Sequence, residues 1–221
     1  MWNLFRRFSL AILLLLFFAL PASASEWESK GESKGVQLYE GSGERFGGLA
    51  FRGILETDLG IDKILPVFVD PDERPNWLHR FGEEEMIEKK GDPSSMRWTE
   101  LVYSRIHLPF PASDRDHVFE TTYEIDEAKK RVVATIRTIE DDRYPERDCC
   151  VRARSFTRYI LTPRSNGGTR IEIEVETDLR GRLPSRITRG AQREWPTETL
   201  VGLVDRARQA DRSPDPRVAG W

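Results

Sequence analysis

Residues 169–177 alternate without a fault. Thr169, Ile171, Ile173, Val175 and Thr177 fall on one side, and Arg170, Glu172, Glu174 and Glu176 on the other. Successive side chains of a strand point to opposite faces, so this segment reads as a β-strand in a sheet with one dry side and one wet side. Asn166-Gly167-Gly168 just before it supplies the positive φ angles of a tight hairpin, which requires an antiparallel partner immediately upstream. That partner is read in 151–161, where Val151, Ala153, Ser155, Thr157, Tyr159 and Leu161 oppose Arg152, Arg154 and Arg158.

The same period continues upstream. In 117–125, Phe119, Thr121, Tyr123 and Ile125 oppose Glu120 and Glu124, while 132–140 sorts Val132, Ala134 and Ile136 less cleanly. Segments 98–108, 49–56 and 36–39 read as further strands, the first with its inward parity open. Helical spacing occurs twice: Ile61, Ile64, Leu65, Phe68 and Val69, and then a long run over 184–210. The second run carries Ile187, Ala191, Trp195, Leu200, Leu203 and Ala207 in one stripe, and Pro196 inside it should kink the helix. The class is α+β: antiparallel strands and a short helix closed by one long C-terminal helix.

Organisation at the ends is simple. Arg6 and Arg7 precede an apolar stretch over 8–20, and Ala22-Ser23-Ala24 offers small residues for cleavage. As a helix that stretch covers about 20 Å, short of the roughly 30 Å of a bilayer's hydrocarbon. Residues 1–24 are therefore expected to be a signal peptide, and the chain exported, to the periplasm if the source is bacterial. Residues 25–35 read as a flexible linker, 36–210 as one domain, and 211–221 as a disordered tail. With 34 Lys+Arg against 37 Asp+Glu, the net charge of −3 argues against a dedicated nucleic-acid binder, which would usually carry a strongly basic face. The two cysteines, Cys149 and Cys150, are adjacent and cannot build a disulfide framework. They are expected to be structural, one facing inward as a small buried hydrophobe.

A single helix about 10–12 Å across cannot fill the hollow of a curved sheet of six or more strands. Either bulky side chains close the gap or a cavity remains. Small inward residues (Ala134, Ala153, Ser155, Thr157, Ala191) leave room for the second outcome. His79, His107 and His117 show no metal spacing, no G-x-S-x-G elbow exists, and no Gly-rich phosphate loop precedes a helix. No cofactor and no catalytic residue is expected.

Several ordered motifs carry a resemblance. Leu101-Val102-Tyr103, Pro109-Phe110-Pro111 and Arg115-Asp116-His117-Val118 are flanked by Asp70…Arg74-Pro75-Asn76-Trp77 upstream. Downstream come Val151-Arg152, Tyr159-Ile160-Leu161-Thr162-Pro163, Gly168-Thr169, Asp178-Leu179-Arg180-Gly181-Arg182-Leu183-Pro184, and Pro196 with Leu200. Together they resemble the START (StAR-related lipid-transfer) domains, the phosphatidylcholine-transfer branch in particular, over about residues 36–208. The resemblance implies a helix-grip fold, a curved antiparallel sheet wrapped around the C-terminal helix, with an internal hydrophobic tunnel for one lipid. It implies a non-catalytic lipid binder that transfers or senses its ligand, with transient membrane contact; a monomer is expected. The alternative is a polyketide cyclase or aromatase of the same superfamily, for which Tyr103, Arg105, His107 and Tyr123 would be the polar groups.

Candidate lipid contacts follow from parity and resemblance together. On the sheet they are Phe119, Thr121, Tyr123, Ala153, Thr157, Tyr159, Ile171, Ile173 and Val175; on the helix, Ile187 and Ala191. Tyr103 and Arg105 share a face with His107; if it is inward they form a polar cluster, and if outward Val102, Ser104 and Ile106 face the tunnel. The larger burial of the Tyr103 ring favours the inward reading. Arg115 shares the parity of Phe119 and Tyr123. It either grips an anionic headgroup or clamps a loop through Asp114 or Asp116. Members of the family often carry a second basic residue further along this strand, where this chain has Thr121 and Tyr123. Trp77 is expected in core packing, and Tyr159 either lines the cavity or satisfies a backbone group.

Overall fold

The structure is a computed structural model that describes residues 27–221, apart from the side chains of 185–187. The segment expected to be a signal peptide lies outside the described residues. Ten strands form one sheet: β1 (Glu28–Ser33), β2 (Val36–Ser42), β3 (Leu49–Thr57), β4 (Phe81–Lys90), β5 (Arg97–Ile106), β6 (Asp114–Asp126), β7 (Arg131–Thr138), β8 (Cys150–Arg152), β9 (Arg154–Pro163) and β10 (Thr169–Asp178). Helix α1 (Ile61–Val69) and a 3₁₀ turn (Pro71–Asn76) connect β3 to β4, and α2 (Ser185–Gln209) follows β10. The spatial order is β1-β2-β3-β10-β9-β7-β6-β5-β4, antiparallel throughout, with the short β8 lying parallel beside β6. This is the curved sheet with a C-terminal helix that the pattern implied.

Register places the alternating residues in rows. One inward row runs Gly53–Ile173–Tyr159–Ala134–Tyr123–Trp98 across β3, β10, β9, β7, β6 and β5. At its start α2 crosses β3 so closely that a Cβ on Gly53 would come within 2.8 Å of the Pro196 Cβ. Further along the helix a Cβ on Gly202 would lie 2.6 Å from the Trp77 carbonyl oxygen. Two glycines thus let α2 seat tightly against the sheet and the chain after the 3₁₀ turn. The second half of α2 buries Leu200, Leu203 and Val204 against Ile64, Leu65 and Phe68 of α1 and against Val36, Leu55, Ile171 and Ile173 of the sheet. This is the packed core.

Three expectations are corrected here. Of the expected linker 25–35, the described residues 27–35 are not loose: β1 pairs with β2 from Glu28↔Glu40 to Ser33↔Val36, and the Arg52 guanidinium lies 4.2 Å over the Trp27 ring. The tail at 211–221 is fastened rather than disordered. The Asp215 N–H donates to the Asp62 carbonyl (2.8 Å), Arg217 donates to the carbonyls of Pro93 (2.6 Å) and Ser95 (2.8 Å), and Val218 is buried. The cysteines do not place one thiol in the core. Cys149 and Cys150 are bonded to each other, Cys149 exposed and Cys150 half-buried.

The convex face of the sheet is dry at one place. The 139–152 segment covers Leu101, Tyr103 and Val118 with Ile139 and Tyr144. Arg152 pins it by donating to both Asp116 carboxylate oxygens (3.1 Å each) and to the Tyr144 carbonyl (3.1 Å).

Candidate functional site

The other half of the inner surface is not filled. An open-mouthed cavity lies between β5, β6 and the first half of α2. Its floor is an aromatic cluster, with Phe68 edge-on to Tyr123 (6.0 Å between centroids) and to Tyr159 (5.0 Å). Val102, Ser104 and Ile106 form the β5 wall, while His117, Phe119 and Thr121 form the β6 wall. From above, α2 contributes Ala191, Gln192 and Trp195, and Leu108 and Leu179 join the lining from the loops.

Parity therefore sorts the expected residues. Phe119, Thr121, Tyr123, Tyr159, Val175 and Ala191 line the cavity. Ile171 and Ile173 face inward but belong to the packed core beneath α2. Thr157 is buried on the same face of β9 as Ser155 and Tyr159, which line the space while it does not. Ala153 is buried at the join of β8 and β9 and donates its N–H to the Asp116 carbonyl (3.0 Å). Ile187 lies outside the described side chains. Trp77 both packs in the core and lines the cavity.

Tyr103 and Arg105 point the other way. Tyr103 is fully buried on the convex face, stacked on Tyr144 (5.9 Å) with the Arg147 guanidinium 3.8 Å over its ring. Arg105 donates to Glu83 (3.1 Å) and pairs with Asp114. His107 is exposed, its Nδ1 3.0 Å from Asp114. Large burial was a poor guide because this stretch of β5 is dry on both faces. Of the polar groups an enzyme reading would use, only Tyr123 faces the cavity.

Arg115 is a loop clamp, though not through a carboxylate. It donates to the carbonyls of Leu179 (2.5 Å), Ser113 (2.6 Å) and Arg180 (3.1 Å), tying the β5–β6 loop to the link between β10 and α2. Its donors are spent on backbone, which leaves it poorly placed to hold an anion.

The buried cation of the cavity is instead Arg74, from the 3₁₀ turn. Asp70 caps that turn by accepting from the Asp72 N–H (2.9 Å). Arg74 then reaches inward to Glu84 on β4, to Glu100 on β5 (2.6 Å) and to the Tyr123 hydroxyl (2.9 Å). Burial opposes the guanidinium's charge, but Tyr123, Glu84 and Glu100 outweigh it and hold its pKa above the usual range. Burial likewise raises Glu84 despite Arg74, and raises the phenols of Tyr123 and Tyr159. At the mouth Arg80 donates to Glu194 (2.9 Å). Both arginines of the lining are thus matched by carboxylate.

One lining residue was not among the expected contacts, although parity marks it. His117 shares the face of Phe119 and Tyr123 and stacks on Phe119 (4.6 Å). It stands beside Ser104 and Glu84 in one cross-strand row. Burial holds its pKa down at about 3, so the imidazole is neutral. Neither ring nitrogen has a hydrogen-bond partner, and the Trp77 indole N–H has none either. No three His, Cys, Asp or Glu side chains come together as a metal site among the described residues.

Comparison with known proteins agrees with this architecture. A family model for the START domain matches residues 48–204. An uncharacterized protein of Pseudomonas aeruginosa is 27% identical over 185 residues, spanning 82% of this chain and 87% of that protein. The phosphatidylcholine transfer protein of Bos taurus is 25% identical over 188 residues, spanning 82% of this chain and 84% of its own. Among solved structures, a STAR-related lipid transfer protein from Xanthomonas axonopodis superposes with a TM-score of 0.70 at 22% identity, covering 83% of this chain and 99% of that one. Human StAR-related lipid transfer protein 5 gives 0.73 at 18%, covering 86% and 89%. At these identities the two structures speak for the fold.

Proposed function

Because the chain belongs to the START domain family, we propose that it is an exported, non-catalytic protein that holds one lipid in the cavity between β5, β6 and α2 and carries it between membranes. The observation that carries this is the division of the sheet's inner face: α2 closes one half and leaves the other as an apolar space with an open mouth. Each methylene moved into it from water is worth about 0.8 kcal/mol, so an acyl or polycyclic body supplies the driving force by itself. Phe119, Thr121, Tyr123, Tyr159, Val175 and Ala191 are the proposed contacts. The curated and structural relatives named for phosphatidylcholine or lipid transfer support the same reading.

Two features support membrane contact, and a third supports export. Phe110, in the loop that also supplies Leu108 to the cavity, is 95% exposed. From 180 to 193 the chain carries five arginines and no acidic residue, a charge that favours an anionic lipid surface. The Cys149–Cys150 bond fits an oxidising compartment.

Ala191→Trp tests the reading. Its larger side chain would enter the cavity from α2 without touching the core beneath the second half of the helix. Wild-type protein isolated from its host should carry lipid at one molecule per chain by mass spectrometry. The variant should carry none while keeping its circular dichroism. Wild-type protein that comes out bare and takes nothing from vesicles would overturn the proposal.

A further inference from the structure

Cys149 and Cys150 are neighbours in the chain and are bonded to each other. A disulfide stabilises a fold chiefly by closing a long loop of the unfolded chain, and this one encloses a single peptide bond. It ties no distant parts together, so stability does not account for it. Access to it is open: Cys149 is exposed and Cys150 half-buried, near the end of the 139–152 segment. Exposed disulfides are the more readily reduced ones.

The bond stands where three segments at the cavity's mouth meet. Cys150 opens β8, which pairs in parallel with β6 through Asp114↔Cys150, Arg115↔Val151 and Asp116↔Arg152. Arg115 is the residue that ties the β5–β6 loop to the link between β10 and α2, through the carbonyls of Ser113, Leu179 and Arg180. That loop and that link supply Leu108 and Leu179 to the cavity lining. Val151 backs the same clamp, since a Cβ on Gly181 would lie 3.5 Å from Arg115 Nη2 and 3.8 Å from a Val151 methyl carbon. Arg180 also pairs with Glu146 of the covering segment (3.9 Å). The link is held in a disfavoured shape, with Arg180 at φ +48° and Gly181 at φ +70°. A non-glycine residue at positive φ persists only while its surroundings impose it, and here the Arg115 guanidinium grips the Arg180 carbonyl.

We propose that Cys149–Cys150 is a reversible redox site, opened by a dithiol reductant, and that opening it slackens the Arg115 clamp at the mouth of the cavity. A thiolate of the reductant attacks the exposed Cys149 Sγ; the S–S bond breaks, and Cys150 leaves as a thiolate and takes a proton. The reductant's second thiolate then displaces Cys149 from the mixed disulfide, and Cys149 takes a proton in turn. Two electrons and two protons reach the pair, and the reductant ends as a disulfide. With the ring open, the peptide at the head of β8 regains its rotational freedom, and a ladder of three residue pairs frays from that end. This goes beyond the lipid-carrier reading, since it concerns when the mouth yields rather than what lies inside.

Thiol trapping and hydrogen exchange test it. Purified protein is equilibrated without denaturant in graded mixtures of reduced and oxidised dithiothreitol, alkylated with iodoacetamide, and digested for mass spectrometry. Both cysteines should be unlabelled in the oxidised protein and labelled in the reduced one. Reduction should speed amide exchange about tenfold over 113–116, 150–153 and 179–182, the effect of losing about one hydrogen bond. β3, β10 and the second half of α2 should keep their rates. The double variant Cys149→Ser, Cys150→Ser should exchange at the fast rate in either buffer, with circular dichroism showing it folded. Labelling of both cysteines in air-oxidised protein, or a bond that yields only after denaturation, would overturn the redox site. Unchanged exchange at 179–182 on reduction, or a folded double variant as slow there as the oxidised wild type, would overturn the coupling to the mouth. Each readout is independent of bound lipid, so the carrier reading stands or falls separately.

Discussion

Ile173 on β10 and Thr121 on β6 occupy equivalent inward positions of one sheet, yet they live in different environments. Ile173 is fully buried among Leu55, Leu200 and Leu203, whereas Thr121 looks into open space. The cause is geometric. A helix about 10–12 Å across spans only two or three strands spaced 4.8 Å apart, so α2 seals β2, β3 and β10 and cannot reach β5 and β6. The closed half is apolar; the open half holds Arg74, Glu84, Glu100 and His117. Burial stabilises the first and equips the second. The neighbours Glu73 and Arg74 mark the divide, one turned toward α2 and the tail, the other toward the cavity.

The widest break in that comparison comes from Arg74→Leu. Removing the guanidinium strands two buried carboxylates, and loss of one partner of a buried ion cluster costs about 3–5 kcal/mol. Chemical denaturation should show a loss of that order or an unfolded protein. Restoring neutrality with Glu84→Gln and Glu100→Gln in the same chain should recover much of it. A loss under 1 kcal/mol would mean that the cluster is solvated and the open half wetter than its walls indicate.

A smaller effect is expected on the closed side, at Glu73. It accepts from Arg206 (2.6 Å) and from Arg212 (2.9 Å), tying the 3₁₀ turn to α2 and to the tail. The Arg206 hydrogen bond, against the cost of burial and with help from Arg212, lowers its pKa from 4.5 to about 2. A carboxylate depressed in the folded state stabilises fully above its unfolded pKa and loses that contribution as pH falls through the folded one. Glu73→Gln should therefore cost about 1–2 kcal/mol at neutral pH, since both arginines can turn to water. In melts across the acid range the gap between wild type and variant should close between pH 4.5 and 2. A gap that persists at pH 2 would assign the loss to shape rather than charge.

How much of this could be read beforehand depended on how many faces of a strand are dry. β9 and β10 have one wet face, so alternation gave their inward side directly. On β5 Leu101, Val102, Tyr103 and Ser104 are all buried, because the 139–152 segment covers the convex side there; a strand dry on both faces has no alternation to read. β4 escaped notice because FGEEEMIEKK is an edge strand with register shifts at Phe81/Glu83 and Met86/Glu88, which break period two. Parity did mark His117. It could not mark the Arg74 cluster, whose partners sit on β4 and β5 at no fixed spacing and meet only in space. Nor could it separate Ile171 and Ile173 from Val175, since where α2 lifts off the sheet is settled by Gly53 and Pro196 rather than by the strand.

The smallest effect, and the sharpest on the assignment of faces, is expected from Tyr103→Phe. Tyr103 is the residue whose size argued for an inward, headgroup-binding place. Its hydroxyl is instead buried on the convex side with no hydrogen-bond partner, between Tyr144 and Arg147. Deleting an unsatisfied buried hydroxyl while keeping the ring is neutral or stabilising by less than about 1 kcal/mol. Lipid uptake from vesicles should match the wild type, because the Val102 and Ser104 side chains, not Tyr103, face the cavity. A folded Tyr103→Phe with weakened uptake would mean that β5 presents its other face to the ligand. It would then reverse the row through Glu84, Ser104 and His117 that forms this side of the cavity.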